Sequence, residues 1–235
     1  MFYERILVFS DMHFPYAHRD IIAFLTAIKL RYKPDLVVCL GDELDYHQLS
    51  FHDSCPELLG TSEEFTKAKR LLSGVMDLFP EMIILESNHG SLAYRKARVA
   101  KLPAYFLKPY NEILDAPKTW KWVPRFDLDI QKGRNLVFHH GYSSNAIACA
   151  KELGSCLVQG HFHSRMSIDY FGDDNKLMWA MQLPCLVDVK SMAFDYGKNV
   201  ARRPKLGAGM ILYGEPMLLP MQLTKEGKFR GLYEY

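Results

Sequence analysis

The stretch Gly160-His161-Phe162-His163 places two histidines one residue apart, directly after a short apolar run. If that run is a strand that continues through the pair, both imidazoles point to the same side, because side chains alternate along a strand. The glycine lets a backbone or a ligand approach closely. Two imidazoles directed at one point are half of a metal site, although two polar residues at a strand end are the alternative.

Polar side chains of the same kind follow four other apolar runs. They are Asp11 and His13, Asp42, Asn88 and His89, and His140. Asp and Asn also favour turns, which is the competing explanation for each one alone. Ligand sites in α/β proteins gather at the carboxyl ends of the strands, so the joint pattern favours one site. Imidazole, carboxylate and amide ligands suit Mn²⁺, Fe or Zn²⁺, and the lack of thiolates argues against a structural zinc cluster.

The elements that must position these residues alternate in type in the first half of the chain. Residues 5–10 and 36–40 are buried runs of strand type, and apolar residues at helical spacing fill 19–32 between them. A strand, a helix and a strand in this order predict a parallel, right-handed βαβ unit. Further strands are predicted at 82–85, 136–138 and 156–158.

Helices are predicted from a cap at Ser62 to about Phe79, over 93–101, and from a cap at Ser143 or Ser144 to Leu153. Aromatic residues and prolines in 105–124 indicate an irregular segment. Residues 166–170 and 176–182 flank a turn rich in Gly, Asp and Asn, which predicts a hairpin, and 210–213 and 217–223 flank a second turn. These patterns predict an α/β protein with a single domain over residues 1–235.

Composition narrows the class of protein. Of 235 residues, 49% are hydrophobic and the net charge is +2, so nothing demands a nucleic acid partner. Five cysteines, an odd number without a CxxC pair, indicate free thiols in a reducing compartment. No apolar run reaches the length of a membrane span or of a signal peptide core, so we expect a cytoplasmic protein without a membrane partner.

Taken together, the motifs resemble those of the calcineurin-like metallophosphoesterases. That family has DxH, then GDxxD, then GNH with an acidic residue, then His before Gly, then GHxH. Here they read Asp11-x-His13, Gly41-Asp42-x-x-Asp45, Asn88-His89, His140-Gly141 and Gly160-His161-x-His163. The sequence around 87–96 is similar to the small bacterial and phage-encoded branch, which would place the protein in the host cytoplasm if a phage encodes it.

The resemblance implies a four-layer α/β-β/α sandwich of two mixed sheets flanked by helices. It also implies hydrolysis of phosphate esters, diesters favoured, by a hydroxide that bridges two divalent ions. Mn²⁺ is the first expectation for these ions, with Fe, Zn²⁺ and Ni²⁺ as alternatives. The implied ligands are Asp11, His13 and His163 for the first ion, Asn88, His140 and His161 for the second, and Asp42 for both. His140, which precedes the glycine, is favoured over His139.

His89 would contact the phosphate and assist the leaving group rather than bind metal. Two departures from the family pattern affect its neighbourhood. Ser87 replaces a glycine, and Gly90 replaces the acidic residue that orients the catalytic histidine. His89 must therefore be held by another group, for which Asp45 and a backbone carbonyl are the candidates.

The substrate is left open by the sequence. Arg165 is a candidate for contacting the phosphate. Arg95, Lys96, Arg98 and Lys101 form either a solvated basic face or a rim that recruits phosphate. The aromatic residues could pack in the core or stack on bases; they include Tyr46, Phe51, Tyr105, Phe106, Tyr110, Trp120 and Trp122.

The alternative functions are a nuclease or nucleotide phosphatase acting on nucleic acid, and a non-catalytic metal-holding scaffold. The presence of His89 and of every implied ligand disfavours the scaffold. A zinc peptidase is excluded by the lack of an HExxH motif.

Overall fold

The computed structural model describes residues 3–51, 57–131, 133–173, 176–188, 190 and 203–232. The strands are β1 (Arg5–Phe9), β2 (Leu36–Cys39), β3 (Met82–Leu85), β4 (Trp120–Val123), β5 (Phe126–Gln131), β6 (Arg134–His139), β7 (Cys156–Gln159), β8 (Ser167–Gly172), β9 (Leu177–Gln182), β10 (Gly207–Leu212) and β11 (Glu215–Pro220). The helices are α1 (Ile21–Tyr32), α2 (Thr61–Leu78), α3 (Leu92–Val99), α4 (Tyr110–Leu114) and α5 (Ala146–Leu153). Short 3₁₀ helices cover His47–Leu49 and Ala104–Phe106.

These strands form two mixed sheets. The first has the order β11-β10-β1-β2-β3-β4, with β1 to β4 parallel and β10 and β11 added antiparallel beside β1. The second has the order β5-β6-β7-β9-β8, with a parallel centre and an antiparallel strand at each edge. The predicted βαβ unit and the predicted hairpin of β8 and β9 are both confirmed.

The two sheets pack face to face through a shared core. Val8 and Leu40 of the first sheet meet Phe138, Val158 and Trp179 of the second, all 0% exposed. Strands buried on both faces read as continuous apolar runs, which is why the sequence pattern located them.

Helices cover the outer face of each sheet. Phe9 points away from the second sheet and packs with Phe24 of α1 and Leu72 of α2. On the other side, α5 contributes Ala150 to a cluster with Leu157 of β7. The arrangement is the predicted four-layer α/β sandwich, which confirms the fold class.

The expectation of an irregular segment at 105–124 is wrong. That stretch contains α4 and β4, and β4 extends the first sheet by pairing in parallel with β3, Met82 opposite Trp120. Only one face of this edge strand is fully covered, since Trp120 is buried while Lys121 is exposed. A short edge strand lacks the continuous apolar run that marks a central one.

Two helix caps also differ from the prediction. Helix α2 begins at Thr61 after Gly60, so Ser62 lies within its first turn, where its carbonyl accepts from Thr66 Oγ1 at 2.8 Å. Helix α5 is capped by Asn145, whose Oδ1 accepts from the Ala148 N–H at 3.2 Å, rather than by Ser143 or Ser144. Asn, Ser and Thr cap helices about equally well, so composition alone cannot choose among neighbours.

The free cysteines agree with expectation where the structure describes them. Cys39, Cys156 and Cys185 are buried free thiols and Cys149 is half-buried. Cys55 lies outside the described residues. Among the described residues, no helix is both long enough and apolar enough to cross a membrane.

The inter-sheet core leads to the first testable prediction. Replacing Phe138 with Ala should lower the free energy of unfolding by about 3–5 kcal/mol, because it removes a fully buried ring and leaves a cavity between the sheets. Urea denaturation followed by circular dichroism measures this. Tyr170→Ala, at a side chain 49% exposed on β8, serves as the control and should change stability by less than about 0.5 kcal/mol.

Glu64 leads to a second prediction. This residue of α2 is buried, and its Oε1 accepts the His47 N–H at 2.9 Å, which anchors the loop after Asp45. Burial raises the pKa of Glu64 from 4.5 to about 7. The folded protein therefore keeps the Glu64 proton to a higher pH than the unfolded chain does. The free energy of unfolding consequently falls as the pH rises from 4.5 to about 7.

The free energy of unfolding of the wild type should therefore fall between about pH 5 and about pH 8. In Glu64→Gln this fall should be smaller by about 1–3 kcal/mol. Urea denaturation at both pH values measures the difference. The exposed neighbour offers the matched control Glu63→Gln, which should follow the wild type. An unchanged pH dependence in Glu64→Gln would contradict the prediction.

Candidate metal centre

Loops that leave the carboxyl ends of β1, β2, β3, β6 and β7 meet at one edge of the two sheets. The loop after β1 is tied to the loop after β2, since Asp11 N–H donates to the Gly41 carbonyl at 3.0 Å and His13 N–H to the Asp42 carbonyl at 2.9 Å. In the second sheet, Gly160 N–H donates to the His140 carbonyl at 2.8 Å. All the predicted ligands are therefore delivered to one region.

Several of these residues have unusual backbone geometry. Asp11, His13, Asp42 and His161 have φ values of 54°, 50°, 51° and 67°, in the left-handed region that non-glycine residues seldom adopt. Such conformations cost free energy and persist mainly at functional sites.

These turns correct the reason given for the alignment of His161 and His163, and the same holds for Asp11 and His13. Strand β7 ends at Gln159 and β1 at Phe9, so both pairs lie in tight turns rather than in continuing strands. Strand alternation does not aim their side chains; the left-handed turns do.

The carboxylate of Asp11 links the two sheets. It is 0% exposed, and its Oδ2 accepts the backbone N–H of His161 at 2.9 Å. Its Oδ1 lies 3.1 Å from His163 Nε2. One aspartate after β1 thus contacts both histidines that follow β7, one through the backbone and one through the ring.

Asp42 makes the second connection between the sheets. Its Oδ2 lies 3.2 Å from Nε2 of His140, and the same nitrogen lies 2.7 Å from Oδ1 of Asn88. The opposite ring nitrogen, Nδ1, donates to the Leu40 carbonyl at 2.8 Å. This outer hydrogen bond fixes the orientation of the ring and leaves Nε2 facing the cluster.

Asp45 positions two histidines with different atoms. Its Oδ1 accepts from Nδ1 of His13 at 2.7 Å, which turns Nε2 of His13 toward Asp42, 3.6 Å away. Its backbone carbonyl accepts from Nδ1 of His89. Of the two candidates for holding His89, the backbone carbonyl therefore makes the hydrogen bond, while the Asp45 carboxylate lies 3.7 Å from His89 Nδ1 and hydrogen-bonds to His13. The His89 backbone N–H also donates to Asp42 Oδ1 at 2.9 Å.

Charges in the cluster follow from these contacts. Burial opposes ionisation of Asp11 and Asp42, but hydrogen bonds and charge from the surrounding histidines hold the pKa of each well below its usual value. Burial likewise opposes protonation of His13 and His140, yet the nearby carboxylates raise their pKa values to about 10 and about 9. Burial, then the charge on His140, lowers the pKa of His161, which favours a neutral ring.

The donor set fits divalent cations. The ligand atoms form three overlapping groups, each within 4.8 Å: Asp11, Asp42, His140 and His161; Asp11, His13 and His163; and His13, Asp42 and His89. Two ionised carboxylates buried in one site need compensating positive charge, and the oxygen and imidazole donors are those that Mn²⁺, Fe and Zn²⁺ accept. His161 and His163 belong to different groups.

Ser87 is a structural residue whose role the sequence did not reveal. Its Oγ accepts the N–H of Asp42 at 2.8 Å and that of Gly90 at 3.2 Å, which ties the β2 loop to the turn bearing Asn88 and His89. The two loops approach so closely that a Cβ at Gly41 would lie 2.5 Å from the Ser87 Cβ. In place of the expected glycine, this serine supplies a hydrogen bond acceptor at the contact.

Two candidates lie at the edge of the cluster or outside it. His139 is half-buried and stacks on Tyr142 with ring centroids 3.5 Å apart, so it packs beside the cluster and is in none of the groups. Arg165 is half-buried in the turn after His163, and among the described residues its side chain makes no hydrogen bond or ion pair with the cluster. Arg95 is closer, since its Nη1 donates to the Asn88 carbonyl at 3.2 Å.

Comparison with known proteins identifies a related family and similar folds. The family model described as calcineurin-like phosphoesterase matches residues 4–189. The phosphoesterase Yfce from E. coli is 12% identical with a TM-score of 0.49, covering 97% of this chain and 98% of that one. A metallophosphoesterase from Sphaerobacter thermophilus is 14% identical with a TM-score of 0.45, covering 99% and 89%. An archaeal phosphodiesterase is 14% identical with a TM-score of 0.45, covering 92% and 99%. Curated protein sequences contain no match.

Gly160 provides a test of the cluster that leaves every ligand in place. A Cβ at this position would lie 2.1 Å from Ser10 Oγ and 2.7 Å from Asp11 Oδ2. Gly160→Ala should therefore displace Asp11 and lower the affinity for Mn²⁺ by about tenfold or more, as loss of supporting contacts does at other metal sites. Isothermal titration calorimetry measures the affinity. Gly60→Ala is the matched control, because a Cβ there meets no atom within 4 Å. Equal affinities in the two variants would contradict the proposed constraint.

Proposed function

The chain belongs to the calcineurin-like phosphoesterase family, and we propose that this metal-dependent phosphate-ester hydrolase acts on phosphodiesters. The observation that carries the proposal is the position of Asp42, which belongs to two of the three ligand groups and approaches His13 at 3.6 Å and His140 at 3.2 Å. A carboxylate shared in this way places two cation positions side by side. That arrangement suits a displacement in which charge is neutralised on both the attacking and the leaving oxygen.

We propose that Asp11, His13 and His163 hold one ion, and that Asn88, His140 and His161 hold the other. Asp42 would contribute to both, since it approaches His13 on one side and His140 on the other. Mn²⁺ is the first candidate for both positions. When bound, such ions lower the pKa of water to near neutrality and offset the charge of a phosphate group.

The residues of the chain then position the reacting groups. His89 is held through Nδ1 by the Asp45 carbonyl, so its Nε2 is the atom available to substrate. A histidine held in this way can act as the proton donor to the leaving oxygen. Its backbone N–H donates to Asp42, which couples the position of this ring to that of the shared carboxylate.

The test is hydrolysis of bis(p-nitrophenyl) phosphate in Mn²⁺, followed by release of p-nitrophenolate. Asp42→Ala combined with His140→Ala should abolish activity and metal binding together, because both proposed ion positions lose a ligand. Activity that survives this double substitution would falsify the mechanism. Metal binding by the wild type without hydrolysis would instead favour the non-catalytic scaffold.

Single histidine substitutions separate the roles. His89→Ala should lower kcat by about 10²–10⁴-fold, the usual contribution of a positioned proton donor, while the metal content by elemental analysis stays at that of the wild type. His140→Ala should lower metal content, and His139→Ala, its matched neighbour outside the groups, should not. Two ions per chain are expected; one ion bound by both His161 and His163 would refute the division of that pair.

A further inference from the structure

Two cavities adjoin beside the cluster. The first has a volume of about 500 Å³ and is lined by Asn88, His140 and His161 from the cluster, together with Arg95. The second, of about 450 Å³, is lined by Tyr94, Leu107 and Tyr110 among others. Glu86 and Ser91 line both, so the two spaces share a wall. A molecule with its reacting group at the cluster therefore has a second compartment beside it.

The first compartment suits an anion. Arg95 is exposed and its guanidinium donates to the Asn88 carbonyl, which places a positive charge beside a proposed metal ligand. The charge of Lys96 lies close by, since both side chains approach the Phe51 ring, at 5.0 Å for Arg95 and 4.2 Å for Lys96. Arginine binds phosphate oxygens well because its planar fork offers several donors.

The second compartment suits a flat aromatic group. Tyr110 packs against both Tyr94 and Trp122, with ring centroids 4.7 Å and 5.5 Å apart, so the three rings form one aromatic wall. Tyr94 ends this row, and the side of its ring turned away from Tyr110 is the face on which a flat group can stack. The Tyr94 hydroxyl donates to the Lys108 carbonyl at 2.6 Å, which fixes that ring. The volume of the second compartment, about 450 Å³, falls in the range of sites that bind small ligands.

The wall between the compartments carries the exposed carboxylate of Glu86. Glu86 also lines the first compartment, where Arg95 offsets its charge, but none of the described residues lining the second compartment is Lys or Arg. There the carboxylate would repel a second phosphate but accepts N–H donors. A purely apolar group such as a lipid chain gains nothing from it. A nucleobase combines an aromatic face with N–H donors at its edge, so it matches both the rings and the carboxylate.

We infer that the second compartment binds the nucleobase of a nucleoside phosphodiester whose phosphate lies at the cluster. The inference rests on the proposed function for the position of the phosphate. The chain beyond the compartment offers further exposed rings, Tyr105 at 80% and Phe106 at 65% exposure. The nucleoside can therefore come from a small nucleotide or from the end of a single strand, and the experiment distinguishes the two.

The primary experiment compares two esters that share one leaving group, in Mn²⁺. Thymidine 5′-(p-nitrophenyl phosphate) carries a base, and methyl p-nitrophenyl phosphate carries none. The ratio of their kcat/KM values should be at least about fivefold in favour of the thymidine ester, the low end of what stacking a base contributes. A ratio of one in the wild type overturns the inference.

Variants locate the base. Tyr94→Leu combined with Tyr110→Leu should bring the ratio close to one, whereas Tyr94→Phe combined with Tyr110→Phe keeps the rings and should preserve it. Glu86→Gln, at an exposed position where folding is not at risk, should lower the ratio as well. Tyr170→Leu, on the distant strand β8, is the control and should match the wild type. If the ratio of kcat/KM values stays at that of the wild type in every variant at Tyr94, Tyr110 and Glu86, the base lies elsewhere and the inference is overturned.

Binding separates this inference from the proposed function. If neither ester is hydrolysed, the proposed function fails, and calorimetric titration with thymidine 5′-monophosphate against ribose 5-phosphate still tests the compartment. Tighter binding of the thymidine compound, by about fivefold or more, supports it, and equal binding overturns it.

The source of the nucleoside is resolved with a thymidine dinucleotide, a single-stranded oligothymidylate and an abasic strand of the same length. Preference for the oligothymidylate indicates a strand end, and preference for the dinucleotide indicates a small nucleotide. Each of these outcomes supports a base site. Cleavage of the abasic strand as efficiently as the oligothymidylate overturns it.

Discussion

The site depends on one interaction, the contact of a buried carboxylate from the first sheet with the turn that leaves the second. Asp11 accepts the backbone N–H of His161 and meets the ring of His163, so a single side chain sets the distance between two strand ends in different sheets. A buried charge is costly unless it is paired. The contacts of Asp11 with His161 and His163 are therefore needed to offset the cost of burying its charge. The apolar core between the sheets fixes the relative position of the two strand ends that carry these residues. Packing of the two sheets and formation of the site are one event.

Much of this could be predicted from the sequence because the central strands are buried on both faces and end in chemically distinctive residues. Apolar runs located β1, β2, β3 and β7 to within about one residue, and the polar residues beyond them do converge. The geometry behind the convergence was not predictable in the same way. Left-handed turns at Asp11, His13, Asp42 and His161 aim the ligands, and a turn of this kind leaves no periodic signal in the sequence. The residues that the sequence singled out do lie together, with a different physical cause for their alignment.

What the sequence missed depends on contacts between distant segments. Strand β4 is recognisable only by its pairing with β3. Helix α5 is capped by Asn145 rather than by a neighbouring serine, because the Asn145 side chain is the one that reaches the Ala148 N–H. Ser87 stands where the family pattern has a glycine, yet it accepts two backbone N–H groups from different loops. Asp45 offered its carboxylate as the holder of His89, but only three-dimensional structure shows that the carboxylate turns to His13 and the carbonyl to His89. Local sequence specifies elements and chemistry; partners across the fold require the assembled chain.

The placement of β10 has a consequence for the order in which the molecule is made. Strand β1 carries Asp11 and His13 at its end, and one of its two neighbours is β10, with Arg5 opposite Leu212. During synthesis, β2 (Leu36–Cys39) emerges soon after β1 and can pair with it, but the other edge of β1 stays open until β10 (Gly207–Leu212) has left the ribosome. An open apolar edge is a template for unwanted strand pairing. The nascent chain therefore carries this exposed edge until β10 is made, and pairing of β10 with β1 removes a site at which unwanted strand pairing can start.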